Sequence, residues 1–138
     1  MYKVESPLSI NVTKTKKFSL NLNAYRNAHH FTLNKAKVEY KQAIKSQIET
    51  LPVFKRIAID YIFYPSTKRH YDVSNVCSIV DKFFCDALVE LGHLEDDSYE
   101  YLPTVSYSFG SIDKERPRVE IVIKEIENAV HNEQRRDH

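Results

Sequence analysis

From Val76 onward the apolar residues return every three or four positions: Val76, Ile79, Val80, Phe83, Phe84, Ala87, Leu88 and Leu91. That spacing makes one stripe along a helix. Ser74 or Asn75 is placed to cap its start by accepting a backbone N–H. Gly92 stands just past the last apolar position, where a left-handed residue is favoured. A second helical pattern runs from Leu33 to Leu51 through Ala36, Tyr40, Ala43, Ile44 and Ile48, and Pro52 ends it. Strict alternation predicts strands elsewhere. Ile57, Ile59, Tyr61 and Phe63 share one side of a strand from Lys55 to Tyr64. Val105, Tyr107 and Phe109 alternate with Thr104, Ser106 and Ser108, and Val119, Ile121 and Ile123 line a strand from Arg118 to Ile126. Those last two strands are expected to form a hairpin across the polar stretch Gly110 to Pro117. Residues 1–17 read as a strand or arm ending in the basic run Lys14 to Lys17. Phe18 to Asn27 is asparagine-rich and reads as a loop with turns.

The order strand, helix, strand, helix, strand, strand predicts an α+β fold. It is one small domain with a mixed sheet of three or four strands and helices packed on one face. The strand ending at Tyr64 and the one starting near Thr104 are expected to be joined across the central helix as a right-handed crossover. Residues 1–127 form the domain, and residues 128–138 are a polar tail, frayed or disordered. At 138 residues, with 42% hydrophobic and 28% charged, the chain is long enough for one genuine core.

Charge and cysteine content narrow the picture further. The net charge of +1 does not itself indicate nucleic-acid binding, so any DNA contact must come from local patches. There is no run of about 18 apolar residues to span a membrane. Met1 to Ile10 lacks an apolar signal core, so a cytoplasmic protein is expected. The two cysteines, Cys77 and Cys85, are roughly 12 Å apart on one helix, too far for a disulfide. They read as core thiols.

Carboxylates open and close the central helix: Asp72 before it, and Glu95, Asp96 and Asp97 after it. Convergent carboxylates repel, and a hard divalent cation is the usual reason to gather them. Asn75, Lys82, Asp86 and His93 fall near one azimuth at the edge of the apolar stripe. Each piece also has a plain structural reading. Asp72 suits a helix N-terminus, Lys82 and Asp86 suit an ordinary ion pair, and Asp96-Asp97 suits a turn. The adjacent His29 and His30 do not suit one ion, because neighbours on a strand face opposite ways.

Taken in order, these residues resemble the RusA family of Holliday junction resolvases. The family pattern is Asp-x-Asp-Asn, a lysine on the following helix, Asp-Ala-Leu, a glycine and Asp-Asp. Asp72 and Asn75 match the first segment, Lys82 the lysine, Asp86-Ala87-Leu88 the next, and Asp96-Asp97 the closing pair. The match covers roughly residues 55–124, and Asn21 to Arg26 weakly resembles the family's N-terminal loop. Two departures stand out. Ser74 replaces the second aspartate, and Asn75 to Lys82 is four residues longer, about one helical turn. Asp81 lies about 120° from Asn75 and about 100° from Lys82, and is not placed to compensate.

The resemblance implies a Mg²⁺-dependent endodeoxyribonuclease, with Mn²⁺ a possible substitute, cutting four-way or other branched DNA as a homodimer. By that resemblance Asp72, Asp97 and Asp96 bind metal, Asp72, Asp97 and Lys82 carry catalysis, and Ser74, Asn75 and Asp86 support them. Lys68, Arg69, Arg26, Lys16 and Lys17 are the expected DNA contacts. The alternative is a relative that keeps the fold and dimer, binds branched DNA and no longer cleaves, for want of the carboxylate at Ser74. A third reading is a nuclease that prefers flaps or single strands.

Overall fold

The computed structural model describes residues 1–69 and 72–127; the expected polar tail lies outside the described residues. The elements are β1 (Tyr2–Ser6), β2 (Ser9–Asn11), β3 (Lys17–Ser19), α1 (Leu22–Asn27), α2 (His30–Ile48), β4 (Ile57–Tyr64), α3 (Val73–Glu90), β5 (Thr104–Phe109) and β6 (Arg118–Glu125). The α+β mixed-sheet expectation holds. A four-stranded sheet has the order β1-β6-β4-β5, and β2 and β3 form a separate two-stranded sheet.

Alternation decides which side of the sheet is covered. Ile57, Ile59, Tyr61 and Phe63 of β4 are buried, as are Val119, Ile121 and Ile123 of β6 opposite them. α3 packs over β4 and β5, and α2 packs against α3 and β1. Phe83 of α3 joins the layers: it stacks with Phe18 of β3 at 5.9 Å and meets Tyr40 of α2 edge-on at 5.6 Å. Truncating such a ring costs about 3–5 kcal/mol. The Tyr40 hydroxyl is fully buried but shares a 2.8 Å hydrogen bond with Ser6, so its burial leaves no orphan. The other side of the sheet is polar. There Arg118 bridges Asp113 and Glu120, Lys124 meets Asp60, and Arg116 pairs with Glu5.

Several expectations are corrected. β5 and β6 do not form a hairpin. β4 lies between them, paired parallel to β5 and antiparallel to β6. The α3 crossover returns the chain in its original direction, and the more apolar β6 takes the interior position. The stretch Phe18 to Asn27 is not simply a loop. Phe18 and Leu20 are buried, and Asn21 starts α1 by accepting the Ala24 N–H at 2.8 Å. Residues 1–17 carry two strands and the start of a third rather than one. α3 begins earlier than expected, with Asp72 as its cap instead of Ser74 or Asn75. Its end is as expected, with Gly92 at φ +82°.

Candidate functional site

Asp72 is exposed at the N-terminus of α3. Its Oδ1 accepts the Ser74 N–H at 3.1 Å and the Ser74 hydroxyl at 2.8 Å. Ser74 thus donates to the carboxylate it was expected to assist. Asn75 faces elsewhere: its Oδ1 accepts the Leu22 N–H at 3.1 Å and ties α1 to α3. Lys68 and Arg69 are exposed in the turn leading to Asp72. Pro65 and Ser66 of that turn line a cleft of about 180 Å³ with Leu8, Ser19, Leu20 and Val76. Lys16 and Lys17 lie exposed at the β2–β3 turn, and Arg26 in the last turn of α1.

Lys82 and Asp86 do not pair as a helical couple. Lys82 Nζ lies 5.9 Å from the centre of the Tyr25 ring, and Asp86 meets Lys37 of α2 at 3.7 Å. Both therefore face the α1–α2 side. His29 caps α2 by accepting the Phe31 N–H through its ring nitrogen, which gives this histidine a structural task.

The segment holding Asp96 and Asp97 belongs to the other end of α3. The Phe54 N–H bonds the His93 carbonyl at 2.8 Å, and the Ile57 N–H bonds the Tyr101 carbonyl at 2.9 Å. The loop is thereby fastened beside the start of β4, whereas Asp72 follows its end. Both aspartates are exposed, and the turn folds back far enough for the Asp97 charge to reach Cys85. α3 has 18 residues, so its ends stand roughly 27 Å apart. Asp72 caps the first end, and Asp96 and Asp97 stand in the loop that leaves the other. Among the described residues there is no group of three or more His, Cys, Asp or Glu side chains able to hold a metal. The helix length was itself the sequence signal for this separation.

Asp81 is the acid the sequence reading set aside. It lies two turns beyond Ser74 on nearly the same face. Its Oδ1 accepts the Tyr61 hydroxyl at 2.7 Å and the Cys85 thiol at 3.2 Å, and its Oδ2 accepts the Tyr107 hydroxyl at 2.9 Å. The carboxylate is thus occupied by three donors. It clamps edge strand β5 to the middle of α3. Burial, then the Asp81 charge, pushes the Tyr107 hydroxyl and the Cys85 thiol well above their ordinary ranges. Burial and Asp81 push Cys77 up to about 12. Both thiols are buried and free, as expected, and in their protonated form they are poor nucleophiles. No described helix is long and apolar enough to cross a membrane.

Comparison with protein-family models and with curated proteins finds no match.

Proposed function

We propose that the chain is a metal-dependent endodeoxyribonuclease for branched DNA, working as a homodimer in the manner of the RusA family. The observation that supports this reading is the ordered set Asp72, Asn75, Lys82, Asp86-Ala87-Leu88 and Asp96-Asp97, distributed about one crossover helix. Asp72, Asp96 and Asp97 are exposed oxygen donors, the type that a hydrated Mg²⁺ selects. Bound there, Mg²⁺ supplies an activated water and neutralises charge on the phosphate. Asp72 caps one end of α3 and the Asp97 loop leaves the other, and in this reading two chains supply one site. Asp72 of one and the Asp97 carboxylate of another complete a site between them. Ser74 orients Asp72 through its hydroxyl. Lys82, exposed above Tyr25, offers a positive charge to a phosphate, and Lys68, Arg69, Lys16, Lys17 and Arg26 anchor the DNA backbone.

The test is cleavage of labelled four-way junctions, flaps, single strands and duplexes with Mg²⁺, Mn²⁺ or EDTA. Paired cuts in the four-way junction that need a divalent ion are expected. One observation favours a second reading, a non-cleaving binder of branched DNA. Ser74 holds the place of a family aspartate, and its hydroxyl already consumes one lone pair of Asp72. Junction binding without cutting in either metal selects that reading, and absence of both binding and cutting defeats the two together.

A further inference from the structure

Three consecutive aromatic residues at the start of α2 stand in the open. His29, His30 and Phe31 are all exposed, Phe31 to 71%, whereas Ala36, Tyr40, Ile44 and Ile48 of the same helix are buried. Each ring lies against the other two. Ring centres are 4.5 Å apart for His29 and His30, 4.2 Å for His30 and Phe31, and 5.2 Å for His29 and Phe31, with planes within 38° of parallel. His29 is also held by its capping bond, because its Nδ1 accepts the Phe31 N–H at 3.3 Å. The cluster is thus arranged before anything binds, and such preorganisation lowers the entropy lost on binding.

The surrounding chain is one-sided in charge. From Ser6 to Val38 it carries Lys14, Lys16, Lys17, Arg26, Lys35 and Lys37 and no aspartate or glutamate, in a protein whose net charge is only +1. Neither α1 nor α2 has an acid in its first turn, where acids are favoured. Lys35 and Lys37 are paired with Glu39 and Asp86, while Arg26 and the lysines of the β2–β3 turn are exposed. Open aromatic rings in cationic, acid-free surroundings suit a ligand that joins flat rings to an anionic backbone.

We infer that His29, His30 and Phe31 form a platform on which an unpaired base of a DNA strand stacks. The choice of DNA as the strand rests on the proposed nuclease reading; the stacking chemistry does not. Stacking uses the face of a base, so the platform takes any of the four and gives no sequence preference by hydrogen bonding. A base inside a duplex has both faces covered, so the platform selects unpaired ones. Its place in the fold agrees with this use. Lys37 meets Asp86 and Lys41 meets Glu90, so α2 and α3 run in the same direction and α2 starts toward the Asp72 end of α3. On that half of α3, Asn75 and Lys82 meet Leu22 and Tyr25 of α1, just before the platform in the chain. A strand whose phosphates lie along Lys82 and Arg26 can turn a base onto the rings.

The test is binding of a short single-stranded oligothymidylate to the full chain in EDTA, where no metal-dependent cutting occurs. Phe31→Ala, at an exposed position, should leave the melting temperature unchanged and weaken binding about tenfold, the scale of one stacked base. That loss should persist at high salt, because stacking releases no counterions. The protein has no tryptophan, so Phe31→Trp places a single indole in the platform. This variant should bind at least as well as the wild type, and its fluorescence should be quenched by the oligothymidylate and not by an abasic strand of the same length. Unchanged affinity in Phe31→Ala overturns the platform and leaves the nuclease reading standing. An equal loss on the abasic strand overturns it too, since that strand offers only sugar and phosphate. A lower melting temperature with unchanged affinity would make the rings a packing cluster alone. A chain that binds no DNA of any form overturns both the platform and the nuclease reading, whereas stacking without cleavage in Mg²⁺ upholds the platform by itself.

Discussion

Ser74 carries the sharpest departure from the pattern the chain resembles, and its geometry converts that departure into an experiment. The Ser74 hydroxyl donates to Asp72 at 2.8 Å. Ser74→Asp replaces a donor with a second carboxylate at the same place, so two like charges face each other at the start of α3. The helix dipole offsets part of that repulsion. Without metal the variant is expected to lose about 1 kcal/mol, which lowers the melting temperature by roughly 3–4 °C at this chain length. Mg²⁺ should return that loss and give the variant a larger melting shift than the wild type. Scanning calorimetry in EDTA and in rising Mg²⁺ reads both. A melting temperature indifferent to Mg²⁺ in the variant means this helix end takes no cation.

The thiols give a second residue-level expectation. An unfolded cysteine releases its proton near 9, whereas burial holds the Cys77 proton to about 12 and raises Cys85 as well. Above pH 9 the unfolded chain therefore binds fewer protons than the folded one, and stability falls as pH rises. It is fully present below pH 9 and lost progressively toward the folded values. Urea midpoints between pH 8 and 10, below the range where buried tyrosines dominate, should fall more steeply for the wild type than for Cys77→Ala with Cys85→Ala. Equal slopes would show that the thiols are not the cause.

At the scale of elements, alternation and helical periodicity were legible because each is written in adjacent residues. Ile57, Ile59, Tyr61 and Phe63 share a buried face as their spacing predicts. Strand neighbours were not legible. Nothing in Arg118 to Glu125 records that it inserts between β1 and β4, since that depends on which strands are apolar enough to occupy the interior. The role of Asp81 was hidden for a similar reason: two of its three donors, Tyr61 and Tyr107, come from distant strands. Helix ends were half legible. The start of α3 moved to Asp72, while Gly92 was correctly placed. At φ +82° with no atom within 4 Å of an added Cβ, Gly92→Ala meets only conformational strain. It should cost about 1 kcal/mol, with Gly92→Asn costing less, measured by urea unfolding. A neutral Gly92→Ala would mean the chain leaves α3 by another route.

At the scale of the whole molecule, the proposed nuclease asks acids carried before and after one helix to serve one reaction. The loop after α3 is fastened at His93 and Tyr101 to the start of β4, whereas Asp72 follows the end of that strand. A site shared by two chains has a signature that a site within one chain lacks. Asp72→Asn keeps the helix cap, because an asparagine side chain accepts the same N–H, and it removes the charge. Asp97→Asn does the same for the other acid, and neither loss of negative charge should weaken attraction to phosphate. Each variant alone should bind junctions and fail to cut them. Mixed, their heterodimers hold one site with both acids missing and one with both intact. The intact site forms from Asp72 of the Asp97→Asn chain and Asp97 of the Asp72→Asn chain. The mixture should therefore recover cutting of a single strand per junction, at up to half the heterodimer's share of wild-type sites. If each chain supplied its own site, every site in the mixture would lack one acid and no cutting would return. Denaturing gels of a junction labelled on each strand in turn distinguish the two outcomes.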